Sequence, residues 1–391
     1  MRKIGMKYLL VKNANAVFES CIRRCDILIC DNLICNVDFS GELPENCEVY
    51  DARGAYVSPG FIDIHLHGGG GFDFMDCTAE ALKSISEVHL KNGTTTMIPT
   101  SVSSDFDDIM RLCDVYRQCV EDCPNFYGIH LEGPYLSVAM KGAHREKYLH
   151  SPTDEEISLL LESGRGVIKR ITAAPELDNM DFFARKMTEG NVHLSIGHSD
   201  ATSEVALNAF DNGFSHVTHL YNVTPSVRKV GQQVKAGIVE AAYLNDNVTV
   251  EIIADGKHVA ADAFKLAVKI KGPDKVCMIS DALRPAGTDA KESYLGEKTP
   301  ENLVIIEDEV AKLPDRTRFA GSVATSEMLL RRGVEFFGFS LCDTVRMMTT
   351  TPASIMGMTD RGRLKCGLLA DICVFGENLK LRNVIKNGKI I

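Results

Sequence analysis

No Cys-x-x-Cys pair occurs among the 13 cysteines of this 391-residue chain. A structural zinc ribbon ordinarily needs such pairs. The early group Cys21, Cys25, Cys30, Cys35 and Cys47 therefore reads as reduced thiols in a small β-rich region. Long apolar runs are missing as well. After Met1-Arg2-Lys3 the first apolar stretch is only Tyr8-Leu9-Leu10-Val11. A secretory signal needs about 7–15 such residues and a membrane helix about 18, so the expectation is a soluble, cytoplasmic protein with no membrane partner. There is no block of like charge either: 43 Lys and Arg stand against 53 Asp and Glu, for a net charge of -10. That balance argues against a nucleic-acid partner. It leaves room for a small anionic substrate held by local cationic or N–H groups. Internal repeats and low-complexity segments are absent, and a 45% hydrophobic content excludes wholesale disorder.

What is there falls into two patterns. The first fifty-odd residues offer short β-prone pieces at 8–11, 27–30 and 48–50, separated by polar turns. After Ser58-Pro59-Gly60 strand-like runs begin to alternate with helix-like stretches. The strand candidates are 61–67, 94–100, 126–132, 167–173, 192–198, 214–220, 248–255 and 276–281. Each is short and mostly apolar, as a parallel strand buried on both faces must be. One intervening helix starts near Thr78, carries Leu82, Ile85 and Val88 on one face, and stops at Gly93. Another follows Asp200, with Val205, Leu207, Ala209 and Phe210 before Asn212-Gly213.

Eight strand–helix units over roughly 300 residues predict an α/β fold, a (β/α)8 TIM-like barrel, with an open doubly wound sheet as the alternative. The tail returns to short strands at 371–375 and 381–385. The two β-rich ends, 1–57 and 356–391, are expected to pair into a small β-sandwich domain flanking a barrel over 58–355.

The chemistry gathers at predicted strand ends. The first barrel strand closes with Asp63-Ile64-His65-Leu66-His67. Strand residues two apart project to one side, so both imidazoles can face the C-terminal mouth where barrel active sites lie. The third strand closes with His130-Leu131-Glu132, the fifth with Gly197-His198-Ser199, the sixth with His219-Leu220-Tyr221-Asn222 and the eighth with Ser280-Asp281-Ala282. Imidazoles and carboxylates at five of eight mouth positions make a divalent-metal ligand set. Glu132 is its natural central or bridging member, since burying Glu132 and Asp281 without a cation is costly. The run Gly68 to Gly71 lacks the spacing of a nucleotide loop and reads as a turn that lets backbone approach the ligand.

Pro59-Gly60-Phe61-Ile62-Asp63-Ile64-His65-Leu66-His67-Gly68 resembles the opening of the amidohydrolase superfamily. Gly93-Thr94-Thr95-Thr96, His130-Leu131-Glu132-Gly133-Pro134, Lys141-Gly142-Ala143-His144 and Ala173-Ala174-Pro175-Glu176 narrow the likeness to the N-acetylglucosamine-6-phosphate deacetylase family. Thr218-His219-Leu220-Tyr221-Asn222, Ala254-Asp255-Gly256-Lys257-His258-Val259 and Ala320-Gly321-Ser322 continue it in order. The resemblance implies metal-dependent hydrolysis of the N-acetyl group of N-acetylglucosamine 6-phosphate, in amino-sugar catabolism. It makes Glu132, His198 and His219 the metal ligands and Asp281 the catalytic carboxylate. His65 and His67 match the ligands of a second metal in members that keep both, so one or two ions (Zn, Fe, Mn or Co) are implied per subunit. A carboxylated Lys169 on strand four is the competing bridge.

The backbone N–H groups of Asn222 and Val223 are positioned to meet phosphate oxygens. By resemblance His258 binds substrate, and Ala143, His144, Phe319, Ala320 and Gly321 line the site. One stretch departs from the family. An Arg-Glu-Pro-Gly segment whose Arg reaches phosphate from the neighbouring subunit is here Ser226-Val227-Arg228-Lys229-Val230-Gly231. Arg228 is the candidate in its place, and that role implies a homodimer. Alternatives are deacetylation of N-acetylgalactosamine 6-phosphate or another N-acyl amino sugar, a cyclic amidase or deaminase, or a non-catalytic sugar sensor.

Overall fold

The computed structural model describes residues 6–391, so the basic start at Met1, Arg2 and Lys3 lies outside the described residues. Eight parallel strands form its central sheet: Phe61–Leu66, Thr94–Ser101, Ile129–Glu132, Ile168–Ala173, His193–Ile196, Phe214–Val217, Thr249–Ile253 and Val276–Ile279. They hydrogen-bond in chain order, and a parallel bridge between Leu66 and Ala282 joins the last to the first. Sequential order with closure is a barrel; an open doubly wound sheet would reverse order midway. All eight predicted strands are present, their ends shifted by a few residues.

The helices between them follow local chemistry. Ala79–Lys91 begins at Thr78, whose hydroxyl accepts from the Ala81 N–H at 3.2 Å, and buries Leu82 and Ile85 against the barrel. Gly93, at φ 91°, ends it in a conformation only glycine adopts cheaply. Ser203–Asp211 is capped by Thr202 rather than Asp200, and buries Ala206 and Ala209.

The chain ends build one further sheet of eight strands. Tyr8–Val17, Ile22–Cys30, Leu33–Val37, Glu48–Asp51 and Tyr56–Pro59 come from the N-terminal side. Ile372–Phe375, Leu381–Lys386 and Lys389–Ile390 come from the tail. The halves join where Tyr56–Pro59 runs antiparallel to Ile372–Phe375, with Val57 opposite Val374. Val11, Ile27, Ile29, Val57 and Ile372 fill a core separate from the barrel's. All 13 cysteines are free.

Two insertions were not anticipated. After the eighth strand, Glu292–Tyr294, Leu303–Glu307, Val310–Lys312 and Phe319–Ser322 form an antiparallel sheet. A hairpin of Arg228–Val230 with Gln233–Lys235 follows the sixth. Strands of three to five residues are too short for periodicity to announce them. No helix among the described residues is long and apolar enough to cross a membrane.

Phe375 ties the terminal sheet to the barrel, its ring 5.7 Å from Tyr56 and 6.4 Å from Phe61, with no exposure. Phe375→Ala should cost about 3–5 kcal/mol by urea denaturation. A loss below about 1 kcal/mol would mean that this junction is not tightly packed.

Candidate metal and active site

Glu132 ends barrel strand three and is buried among five imidazoles. Its Oε1 lies 2.9 Å from His219 Nε2, 3.2 Å from His198 Nε2 and 3.4 Å from His65 Nε2. Its Oε2 lies 3.2 Å from His67 Nε2 and 3.5 Å from His144 Nε2. Asp281 Oδ1 closes the group, 3.2 Å from His67 Nε2 and 3.6 Å from His65 Nε2. Residues far apart in sequence thus converge on one rim. Three of the strand-end residues, His198, His219 and Asp281, sit at positive φ (48°, 27° and 50°), a conformation that non-glycine residues hold only when the surroundings enforce it.

The imidazole partners set which nitrogen faces the rim. His198 donates from Nδ1 to the Met140 carbonyl at 2.9 Å, and His219 from Nδ1 to the Asn222 carbonyl at 3.2 Å. His65 donates from Nδ1 to Glu251 Oε1 at 2.7 Å. Each ring therefore turns its Nε2 towards the rim. His144 is the reverse. Its Nδ1 accepts from the Ser103 N–H at 3.3 Å, so Nε2 carries the proton towards Glu132, as a donor rather than a ligand. Burial brings its pKa down to about 4, which keeps it neutral.

These residues fit a divalent ion. His65 Nε2 is buried without a hydrogen-bond partner, yet it faces two carboxylates. Burial pulls the His65 pKa down, but the Glu132 and Glu251 carboxylates outweigh it and hold the ring well above the ordinary imidazole range. Burial likewise opposes, and Asp281 and Glu132 overcome it, in raising His67 to about 9. The site calls for positive charge, and a cation between lone pairs and carboxylates supplies it. Two overlapping groups offer ligand atoms within 4.8 Å of one another: His65, Glu132 and His219; His65, His67 and Asp281; Glu132 and His198 lie as close to each other and to the proton-bearing His144.

His130 is not brought to the rim. Its Nε2 lies 2.7 Å from Thr172 Oγ1 and its Nδ1 3.2 Å from Thr100 Oγ1, so it is satisfied beneath the site. Lys169 points at the Tyr127 ring, 5.9 Å away, and does not join the cluster. Glu176 accepts from Ser199 Oγ and the Asp200 N–H, both at 2.6 Å, bracing the turn after His198. None of Gly68, Gly69, Gly70 and Gly71 lines the cavity over the rim. A Cβ on Gly68 would stand 2.2 Å from the Phe72 carbonyl oxygen and 3.0 Å from the Arg284 nitrogen, so close approach of two backbones is what excludes a side chain there.

A cavity of about 660 Å³ opens over the rim, lined by His67, Glu132, His198, His219 and Asp281. Ala143, His144, Asn222, Val223, His258, Phe319, Ala320 and Gly321 are among the residues of its walls. Asn222 Nδ2 has no partner, and His258, whose Nδ1 is 2.7 Å from Asp255 Oδ2, stands 5.0 Å from the Phe319 ring. Lys141 and Arg318 also line the cavity; Lys141 was read only as part of a motif, and Arg318 was missed beside Phe319. Arg228 does not line it. It lies on the inserted hairpin and pairs with the Asp200 carboxylate, donating also to the Asp200 carbonyl at 2.9 Å.

A parallel barrel with imidazoles and carboxylates converging at its C-terminal rim is the architecture of a metal-assisted hydrolase. The Amidohydrolase family model matches residues 56–391, and the chain belongs to that family. It is 31% identical to N-acetylglucosamine-6-phosphate deacetylase of Haemophilus influenzae over 388 residues, 98% of this chain and 99% of the relative. It is 32% identical to N-acetylgalactosamine-6-phosphate deacetylase of Shewanella sp. strain ANA-3 over 373 residues, 94% of this chain and 91% of the relative. The crystal structure of N-acetylglucosamine-6-phosphate deacetylase from Pasteurella multocida superposes with a TM-score of 0.91 at 29% identity, covering 99% of this chain and all of the other.

Removing divalent ions with a chelator should lower the melting temperature, and restoring zinc should raise it again. Ligand at about 100 times its dissociation constant contributes roughly 2.7 kcal/mol. Identical melting with and without metal would contradict the reading of the rim as an ion site.

Proposed function

We propose that this chain hydrolyses the N-acetyl group of N-acetylglucosamine 6-phosphate, giving glucosamine 6-phosphate and acetate, as a step of amino-sugar catabolism. The observation that carries the reading is Asp281 standing beside the Glu132–imidazole cluster at the wall of a sugar-sized cavity. Family membership and the deacetylase relatives agree with it.

Glu132, His198 and His219 would hold one divalent ion, with His65 and His67 available for a second. Bound there, such an ion supplies Lewis acidity towards a carbonyl oxygen and lowers the pKa of water. Asp281 is the proton carrier. Burial raises its pKa, but His67 and His65 outweigh that and keep it below the usual carboxylate value, so it is ionised and ready to accept a proton from water. It then returns the proton to the departing amine. His144 offers its Nε2–H, and Asn222 an unpartnered amide, for fixing the acetamide and sugar hydroxyls.

Phosphate is assigned to the backbone N–H groups of Asn222 and Val223 with Lys141 and Arg318 of the same chain. Arg228 would reach it only from a second copy, so a homodimer is part of the proposal. Val227, Val230 and Val234, each more than 40% exposed around that hairpin, give such a copy an apolar surface to cover. The cytoplasm is the location proposed, because a charged sugar phosphate does not cross a bilayer unaided. The galactosamine epimer is the second reading, favoured by the Shewanella relative.

Acetate release should be measured from both 6-phosphates and from the unphosphorylated sugars. Release from N-acetylglucosamine 6-phosphate well above the rest is expected; none from any sugar would overturn the deacetylase reading, and a preference for the galacto epimer would establish the second. Asp281→Asn should keep its metal and lose about 10²–10⁴-fold in kcat. Near-full turnover would remove Asp281 from the mechanism.

A further inference from the structure

Below the rim the barrel interior holds an ion pair that the sugar chemistry does not use. Glu251 on strand seven and Arg170 on strand four are both fully buried. Arg170 Nη1 donates to Glu251 Oε2 at 2.6 Å, and its Nη2 donates to Ser195 Oγ at 3.2 Å and Thr218 Oγ1 at 3.0 Å. Barrel interiors ordinarily fill with branched apolar side chains, and a buried ion pair is seldom more stabilising than apolar residues of the same volume. A reason other than stability is therefore required.

That reason lies in the other oxygen. Glu251 Oε1 accepts from His65 Nδ1 at 2.7 Å and from the His219 backbone N–H at 3.3 Å. The first bond fixes the tautomer and the rotation of His65, so that its unpartnered Nε2 is aimed between Glu132 and Asp281. The second ties the same carboxylate to the strand end that carries His219. A carboxylate behind a ligating imidazole both orients it and raises its basicity.

We infer that Glu251, anchored by Arg170, is a positioning residue that commits His65 to a second divalent ion beside the one held by Glu132, His198 and His219. The inference rests on the metal-dependent reading given above. It gives control of that second site to Glu251, a residue that touches neither ion nor sugar.

The test titrates cobalt(II) into the metal-stripped full chain, following visible absorption and bound metal by elemental analysis after dialysis. The unaltered chain should take up two ions. Glu251→Gln should weaken the second ion about 10–100-fold and leave the first within a few-fold, with the second set of cobalt absorption bands lost. Because an unpaired buried Arg170 can unfold the chain, Arg170→Met with Glu251→Met is measured beside it. This double variant should fold with native circular dichroism and show the same selective loss. Unchanged affinity for both ions in either folded variant, an equal fall in both, or a single ion in the unaltered chain would overturn the inference. Acetate release by the unaltered chain is assayed in parallel. Its absence counts against the deacetylase reading, whereas release with two-ion binding unaltered in the variants defeats this inference alone.

Discussion

Two carboxylates are buried together at the barrel mouth, and everything nearby is arranged to tolerate them. Glu132 and Asp281 are reached by imidazole nitrogens at 2.9 to 3.6 Å, while no Lys or Arg side chain among the described residues bonds to either of them. Isolated carboxylates in such a place would be destabilising by several kcal/mol each. The demand for positive charge shows in the raised pKa values of His65 and His67, and a divalent cation bound between the carboxylates meets it. The positive φ angles at His198, His219 and Asp281 follow from the same constraint. The chain must turn sharply at the end of each strand to aim these side chains at one point.

The rest of the molecule holds that rim in place and covers it. The barrel strands register the ligand-bearing ends against one another, and the bridge between Leu66 and Ala282 brings His67 and Asp281 together from the first and last strands of the barrel. The inserted sheet supplies Phe319, Ala320 and Gly321 to the cavity wall, and Gly321 at φ 121° would place a Cβ 2.9 Å from Leu283. The terminal sheet lies outside the chemistry; its pairing of Tyr56–Pro59 with Ile372–Phe375 fastens the first barrel strand to the tail. Sequence likeness to relatives of both epimeric specificities at 31% and 32% identity shows how much of this framework such enzymes share.

Much of this was legible in the amino-acid order. The eight barrel strands were visible because each is short, apolar and buried on both faces. His65, His67, Glu132, His198, His219 and Asp281 were visible because a polar residue closing an apolar strand marks a mouth position. What escaped has physical causes. His130 lies on the same strand two positions before Glu132, where two hydroxyls satisfy it in the layer below the rim, an outcome the strand pattern does not announce. Arg170 and Glu251 set opposite charges inside two buried strands, a signal that pairing across the barrel could have explained. Arg228 was placed by analogy of segment, but the hairpin that carries it pairs it with Asp200, a contact no spacing rule reports. The glycine run was read as letting backbone approach a ligand, whereas it lies off the cavity wall and Gly68 packs its backbone against Phe72 and Arg284.

The central claim is that these imidazoles and carboxylates enclose a divalent cation. Crystals grown with zinc and measured on both sides of the zinc absorption edge would locate such an ion directly. The account predicts an anomalous peak within about 2.0–2.2 Å of Glu132 and of the Nε2 atoms of His198 and His219. A map with no peak at that rim, from crystals in which zinc is bound elsewhere, would contradict it.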